Sequence, residues 1–122
     1  MSIRDELQSF MNSMAAAYRR GDAVACSEMF APDGELYSPY AHPARGRAEI
    51  QALHHVWTEG VGDKQLIVVD AGGSDNMAWC LATYSEGEIT GDGTSLSILE
   101  RQASGDWLIR ICSLNSSQRG AD

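Results

Sequence analysis

The apolar residues of this chain change their spacing once, and that change separates a helical first half from a stranded second half. Up to residue 60 they recur at intervals of three and four, whereas from Lys64 onward they fall in short runs divided by turn residues. In the first half, Ile3, Leu7, Phe10, Met11, Met14 and Tyr18 share one stripe of a helix over residues 3–19, with Arg4, Glu6, Asn12 and Arg19 on the other face. Gly21 stops it, and Asp22 caps a shorter helix through residue 29, with Val24 and Phe30 expected inward. Ala31-Pro32-Asp33-Gly34 reads as a turn, residues 35–38 as a strand ended by Pro39, and residues 39–46 as a loop. Gly46 opens a third helix to residue 59, with Ile50, Leu53, His54 and Trp57 along one face. Strands are expected over residues 64–70, 77–85, 94–103 and 107–115, the last two joined by the hairpin turn Ser104-Gly105-Asp106. Helices followed by an antiparallel run of strands give an α+β fold whose long strands curl around the first and third helices.

A length of 122 residues suits one domain, taken here as residues 1–115 with a polar, disordered tail over 116–122. The 17 Asp and Glu against 9 Lys and Arg leave a net charge of -8, and no stretch gathers the basic residues into a patch. That argues against nucleic acid as a partner. The longest apolar runs, such as residues 66–69, fall far short of the roughly 20 residues that cross a bilayer. Asp5 and Glu6 stand where a signal peptide would be basic, so a cytoplasmic protein with no membrane contact is expected. Three cysteines, Cys26, Cys80 and Cys112, speak against a disulfide framework and a zinc site. His42, His54 and His55 lack a metal-ligand spacing, and no Gly-x-Gly-x-x-Gly follows a strand, so neither metal nor cofactor is expected.

The ordered set of Gly21-Asp22, Phe30-Ala31-Pro32-Asp33-Gly34, Gly46-Arg47-Ala48-Glu49-Ile50 and Gly105-Asp106-Trp107-Leu108-Ile109 resembles the nuclear transport factor two-like superfamily. Within it, the chain is most similar to ketosteroid isomerase-like and SnoaL-like proteins. The resemblance implies a cone-shaped barrel of curved, mainly antiparallel sheet wrapped around helices, a cystatin-like roll, with a pocket at the open end and a homodimer built on the outer face of the sheet. It also permits a test of the isomerase machinery. The oxyanion-hole tyrosine falls at Met14, the general-base aspartate at Ser38, and the second aspartate near Ile98, so all three roles are lost here.

With Met14 and Ser38 facing the pocket, as the resemblance implies, helix and strand periodicity bring Tyr18, Leu36 and Tyr40 to the same side. The third helix adds His54 and Trp57, and alternation along the last strand adds Trp107, Ile109, Ile111, Ser113 and Asn115. These describe an apolar site for a small apolar ligand with few polar groups. His54 is the candidate general acid or base, or else a core histidine bonded to backbone. Tyr18 and Tyr40 are candidates to polarise a carbonyl, or else pack helix on sheet. Ser38, outside any nucleophile-elbow motif, is a hydrogen-bond donor rather than a nucleophile. His42 sits in the loop beside the pocket mouth, where it can cap a ligand or simply be solvated, and Tyr84 has no face that the pattern assigns. Glu35 points away from the pocket, and Glu100 beside Arg101 reads as a cross-strand ion pair, so no paired-carboxylate machine is expected.

Two functions fit these residues. One is an enzyme of isomerase, cyclase or dehydratase type that moves a proton on a carbonyl compound, and the other is a non-catalytic ligand-binding or dimerisation domain. On the convex face, Leu108, Arg110, Cys112 and Leu114 are expected to alternate with the pocket residues. Pairing two such faces buries that row and lets Arg110 meet an acid such as Glu100.

Overall fold

The computed structural model describes residues 2–60, 62–87 and 91–117, with residues 86 and 87 described in backbone only. Its elements run α1 (Ile3–Arg19), α2 (Ala23–Glu28), β1 (Phe30–Tyr37), β2 (Ala44–Arg45), α3 (Arg47–Trp57), β3 (Gln65–Gly73), β4 (Met77–Gly87), β5 (Gly91–Arg101) and β6 (Trp107–Ser116). The strands form one open, curved, six-stranded sheet in the order β2-β1-β6-β5-β4-β3. All neighbours are antiparallel except β1 and β6, which run parallel.

The helices begin where side chains can satisfy their first amides. Ser2 accepts from the Asp5 amide at 3.1 Å, and Asp22 accepts from Ala25 at 3.0 Å. Starting α2 at Ala23 turns Ala23, Cys26 and Ser27 inward and leaves Val24 on the opposite side, half exposed, contrary to the expectation that it faces the core. α1 lies along β3, the free edge of the sheet, and its polar side chains occupy that edge. Gln8 donates to the Leu66 carbonyl at 2.9 Å and accepts from the Val68 amide at 2.7 Å, much as a neighbouring strand would. Arg4 and Arg19 add bonds to the Val68 and Lys64 carbonyls. An edge that would otherwise invite another chain is thereby closed.

Two local features differ from the sequence expectation. The expected turn at residues 31–34 is a bulge inside β1, and the expected loop at 39–46 contains β2, paired through Leu36 with Ala44. The β1 bulge faces a second irregularity. On β5, Leu99 pairs with Ile109 and Ile98 with Ile111, while on β1, Phe30 pairs with Ile109 and Glu35 with Ile111. Arg110 is therefore passed over by both neighbours, and strand alternation reverses beyond it. Trp107 and Ile109 face inward as expected, but the next inward residues are Cys112 and Leu114, not Ile111, Ser113 and Asn115.

The core, then, sits between α1, α3 and the concave face of the sheet, around Leu7, Met11, Phe30, Leu36, Ile50 and Leu99. Outside it, Arg101 pairs with Glu6 of α1 at 3.4 Å rather than with Glu100, and its guanidinium lies 4.2 Å over the Trp107 ring. Ser116 ends β6 and the Ser117 amide bonds to the Asp92 carbonyl at 2.9 Å, while residues 118–122 of the expected tail lie outside the described residues.

Gly93 shows how tightly the sheet closes near its inner face. A Cβ there would run into the Asn115 carbonyl oxygen and the Tyr84 hydroxyl, whereas one at Gly62 would meet nothing within 4 Å. Gly93→Ala is expected to lower stability by roughly 1–3 kcal/mol through overpacking, while Gly62→Ala leaves it almost unchanged. Chemical denaturation of both variants checks this.

Candidate functional site

A cavity of about 60 Å³ lies between the helices and the concave face. The helical part of its wall follows from spacing: Met11, Met14 and Tyr18 stack along α1, and His54 and Trp57 along α3. Leu36, Leu66, Tyr84, Ser95, Ser97, Ile109, Cys112 and Leu114 come from the sheet, and Lys64 from just before β3. No carboxylate is among these lining residues. The volume is well below the roughly 300–1,000 Å³ usual for ligand sites, because Tyr18, Phe30, Trp57 and Tyr84 project their rings into the same space.

Of the residues expected to bind or act on a ligand, Met14, Tyr18, Leu36, His54 and Trp57 line the cavity, and Ser38, Tyr40, Ile111, Ser113 and Asn115 do not. Ile111 and Ser113 are turned to the outer face by the skip at Arg110, and the Asn115 side chain is exposed. β1 ends at Tyr37, so Ser38 leaves the alternation and its hydroxyl accepts from the Tyr40 amide at 3.3 Å. Tyr40 stands behind the wall, with its hydroxyl 2.5 Å from that of Tyr84 and its ring edge-on to Trp57. Tyr84 is the lining residue of that pair. Its hydroxyl also donates to the Asn115 carbonyl at 3.3 Å, and burial together with the Tyr40 contact pushes its ionisation well above the ordinary tyrosine range. His42 is exposed.

His54 is 4% exposed, ringed by Tyr18, Phe30 and Trp57 at centroid distances of 5.5–6.1 Å. Its Nδ1 lies 2.9 Å from the Ile50 carbonyl, a contact that a neutral imidazole makes by donating from Nδ1, leaving the Nε2 lone pair as acceptor. Burial pushes its pKa down to about 4, and the charge of Lys64 acts in the same direction.

The pattern of the first half gave no hint of Lys64. Its side chain is 3% exposed, and its Nζ lies over two ring faces, 4.5 Å from the Tyr18 centroid and 4.8 Å from that of Tyr84. The Arg19 guanidinium holds its carbonyl at 2.5 Å. Burial lowers its pKa to about 8 against the opposing pull of Asp92. The signal for it was period two: Lys64, Leu66 and Val68 are the alternate buried positions of one strand edge. The three cysteines are buried thiols pushed up to about 11 by desolvation, and are unreactive as such.

Residues 11–107 match the SnoaL-like domain. The chain belongs to the SnoaL-like family. Its fold is that of the nuclear transport factor two-like superfamily, as solved neighbours show. A ketosteroid isomerase-like protein from Erwinia carotovora atroseptica SCRI1043 superposes with a TM-score of 0.77 at 20% identity, covering 95% of this chain and 97% of that one. An NTF-2 like protein of unknown function from Shewanella oneidensis MR-1 gives 0.75 at 17% identity over 90% and 96% of the two chains. ActVI-ORFA from Streptomyces coelicolor gives 0.67 at 19% identity over 93% and 96%. At these identities the likeness is one of fold. No curated protein matches this SnoaL-like chain in sequence. No helix among its described residues is long and apolar enough to cross a membrane.

Burial of His54 has a consequence in acid. Its folded pKa of about 4 lies below the ordinary value of about 6.5, so between those limits the unfolded chain binds a proton that the folded one refuses. The contribution is complete above pH 6.5 and is lost as pH falls toward 4. The loss from this residue is expected to be on the order of 2 kcal/mol by pH 4.5. Urea midpoints at pH 7 and 4.5 should therefore diverge more for the native sequence than for His54→Gln.

Proposed function

We propose that the cavity takes up a small, mainly apolar molecule bearing one carbonyl group, and that the chemistry on it is proton transfer of the isomerase, cyclase or dehydratase kind. The observation that carries this reading is the convergence of six polar-tipped side chains, Tyr18, His54, Lys64, Tyr84, Ser95 and Ser97, on walls that are otherwise apolar. In such a place a carbonyl oxygen finds donors in the Tyr18 hydroxyl and the Lys64 ammonium, while an α-proton finds a lone pair on His54 Nε2. Tyr40 supports Tyr84 through their hydroxyl contact and takes no direct part. A second reading, binding without turnover, draws on the lack of a carboxylate in the wall and on the weak basicity that burial gives His54.

Acetone, the smallest ketone, is the probe. Binding should shift the methyl resonances of Met11 and Met14 saturably, and Ser97→Leu, which fills the cavity, should abolish the shift. If proton transfer is the chemistry, the protein accelerates exchange of the ketone's α-protons with deuterated water, and His54→Gln slows that exchange at least tenfold while binding persists. Binding without accelerated exchange selects the second reading, and no shift at Met11 or Met14 overturns both.

Pairing of two copies through the outer face of the sheet is the further proposal that this surface supports. Trp79 stands opposite Ile98 and Leu81 opposite Leu96 on that face, with Ile67 and Ile111 on the flanking strands. Ile67, Trp79 and Leu96 are 50%, 39% and 46% exposed, and a contiguous apolar patch of this kind is unusual on a monomer. The row differs from Leu108, Arg110, Cys112 and Leu114, since Cys112 and Leu114 belong to the inner side. Leu96→Arg should therefore reduce the light-scattering mass from a dimer to 13.2 kDa, the mass of one chain. A native protein already at that mass overturns the pairing.

A further inference from the structure

We propose that Lys64 forms an imine with a short-chain aldehyde or ketone held in the cavity. This rests on the reading of the cavity as a site for a small carbonyl compound, and it names the nucleophile and the ligand class. Lys64 is the only lysine in the chain, and its ammonium has exchanged bulk water for two tyrosine faces and an apolar hollow. Burial of a charge is costly, so such an amine is held partly neutral, with its lone pair available. The titratable groups near enough to act on it are Tyr18 from α1, Cys26 from α2, His54 from α3, Tyr84 from β4 and Asp92 from β5. Asp92, Cys26 and the two tyrosine faces favour the ammonium form, and burial is the larger influence. A desolvated lysine in an apolar pocket is an activated nucleophile toward carbonyl carbon.

The step balances without any co-reactant. The Nζ lone pair bonds to the carbonyl carbon as the π pair moves to oxygen, and a proton passes from nitrogen to that oxygen, giving a carbinolamine. A second proton, delivered to the hydroxyl, lets it leave as water while the nitrogen pair forms the C=N bond. That second proton is the one the ammonium gives up in becoming the attacking amine, so that ammonium and carbonyl become iminium and water. The volume of about 60 Å³ confines the ligand to a few heavy atoms, since a cavity of about 150 Å³ is what accommodates benzene.

Propanal with sodium cyanoborohydride tests this on the intact chain. The expected result is one propyl group on Lys64, separated from any label on the α-amino group by peptide mapping, with a rate that saturates in propanal. Because the folded amine is far less basic, labelling of Lys64 at pH 7.5 should exceed that in guanidinium-unfolded chain by on the order of a hundredfold, the ratio of neutral amine in the two states. Ser97→Leu should reduce labelling at least tenfold. A Lys64 left unmodified in the folded protein but labelled in the unfolded chain overturns the proposal, as does labelling that Ser97→Leu leaves undiminished. Lys64→Met should abolish the adduct, and if it does not fold, Lys64→Arg keeps the cation without the nucleophile. Ketone-induced shifts without trapping reject the imine and leave the binding site standing, whereas loss of both rejects the two together.

Discussion

The shape of the site depends on one residue that neither neighbouring strand pairs with. Arg110 is skipped by β1 and by β5, and everything on β6 beyond it faces the other way. The skip is held by the side chain of the skipped residue. The Arg110 guanidinium donates to the Asp33 carbonyl at 3.0 Å and lies 3.5 Å from the Glu35 carboxylate, so it spans the β1 bulge that stands opposite it. Glu35 is fixed in turn by the Tyr37 hydroxyl at 2.5 Å and by Arg45 at 3.4 Å, and Tyr37 above all holds its carboxyl below the usual range. Gly34 completes the arrangement, because a Cβ there would sit 3.0 Å from both the Ala31 and Ile109 carbonyl oxygens. A polar cluster on the outside therefore decides that Cys112 and Leu114 close the cavity inside.

A second constraint acts at the far edge of the sheet. Among the described residues β3 has no strand beyond it, and α1 supplies the missing partners through Arg4, Gln8 and Arg19. Those bonds set the helix at a fixed height above the sheet, and the apolar stripe of the same helix then roofs the cavity. They also account for the position of Lys64. Its carbonyl is claimed by Arg19 from outside, which leaves its side chain to go inward between Tyr18 of the roof and Tyr84 of the floor.

How much of this the sequence disclosed depends on which element carried the information. Helices were legible because period and stop agree: Gly21 ends α1 and Asp22 caps α2 where the pattern put them. Of the residues they bring to the cavity, Tyr18, His54 and Trp57 follow from spacing once the resemblance sets Met14 toward the pocket. On strands a single unpaired residue inverts parity, so Ile111, Ser113 and Asn115 were placed on the wrong side by an irregularity that leaves no mark in the local pattern. The bulge in β1 was hidden for the opposite reason. Pro32, Asp33 and Gly34 are turn formers, and their turn-like geometry is absorbed into a strand by pairing with a segment seventy-odd residues away. Lys64 was passed over because a charged residue at a strand start reads as surface, and only the burial of Leu66 and Val68 beyond it reveals the face on which it lies.

Burial acts on the two bases of the cavity in the same direction, with different results. It takes His54 to about 4, where the imidazole is neutral at any physiological pH, and Lys64 to about 8, where amine and ammonium coexist. The groups also repel each other's protons, since the Lys64 charge lowers His54 further. The cavity thus holds at most one positive charge near neutrality, and that charge resides on Nζ. The imine proposed above is a weaker base than the amine it replaces, so its iminium form would give up its charge at a lower pH than the free ammonium does. His54 would remain the uncharged partner with a vacant Nε2 lone pair, the form required to accept an α-proton that the iminium has made acidic. Division of labour between a lysine that carries charge and a histidine that does not is thus a consequence of enclosing both in one apolar space.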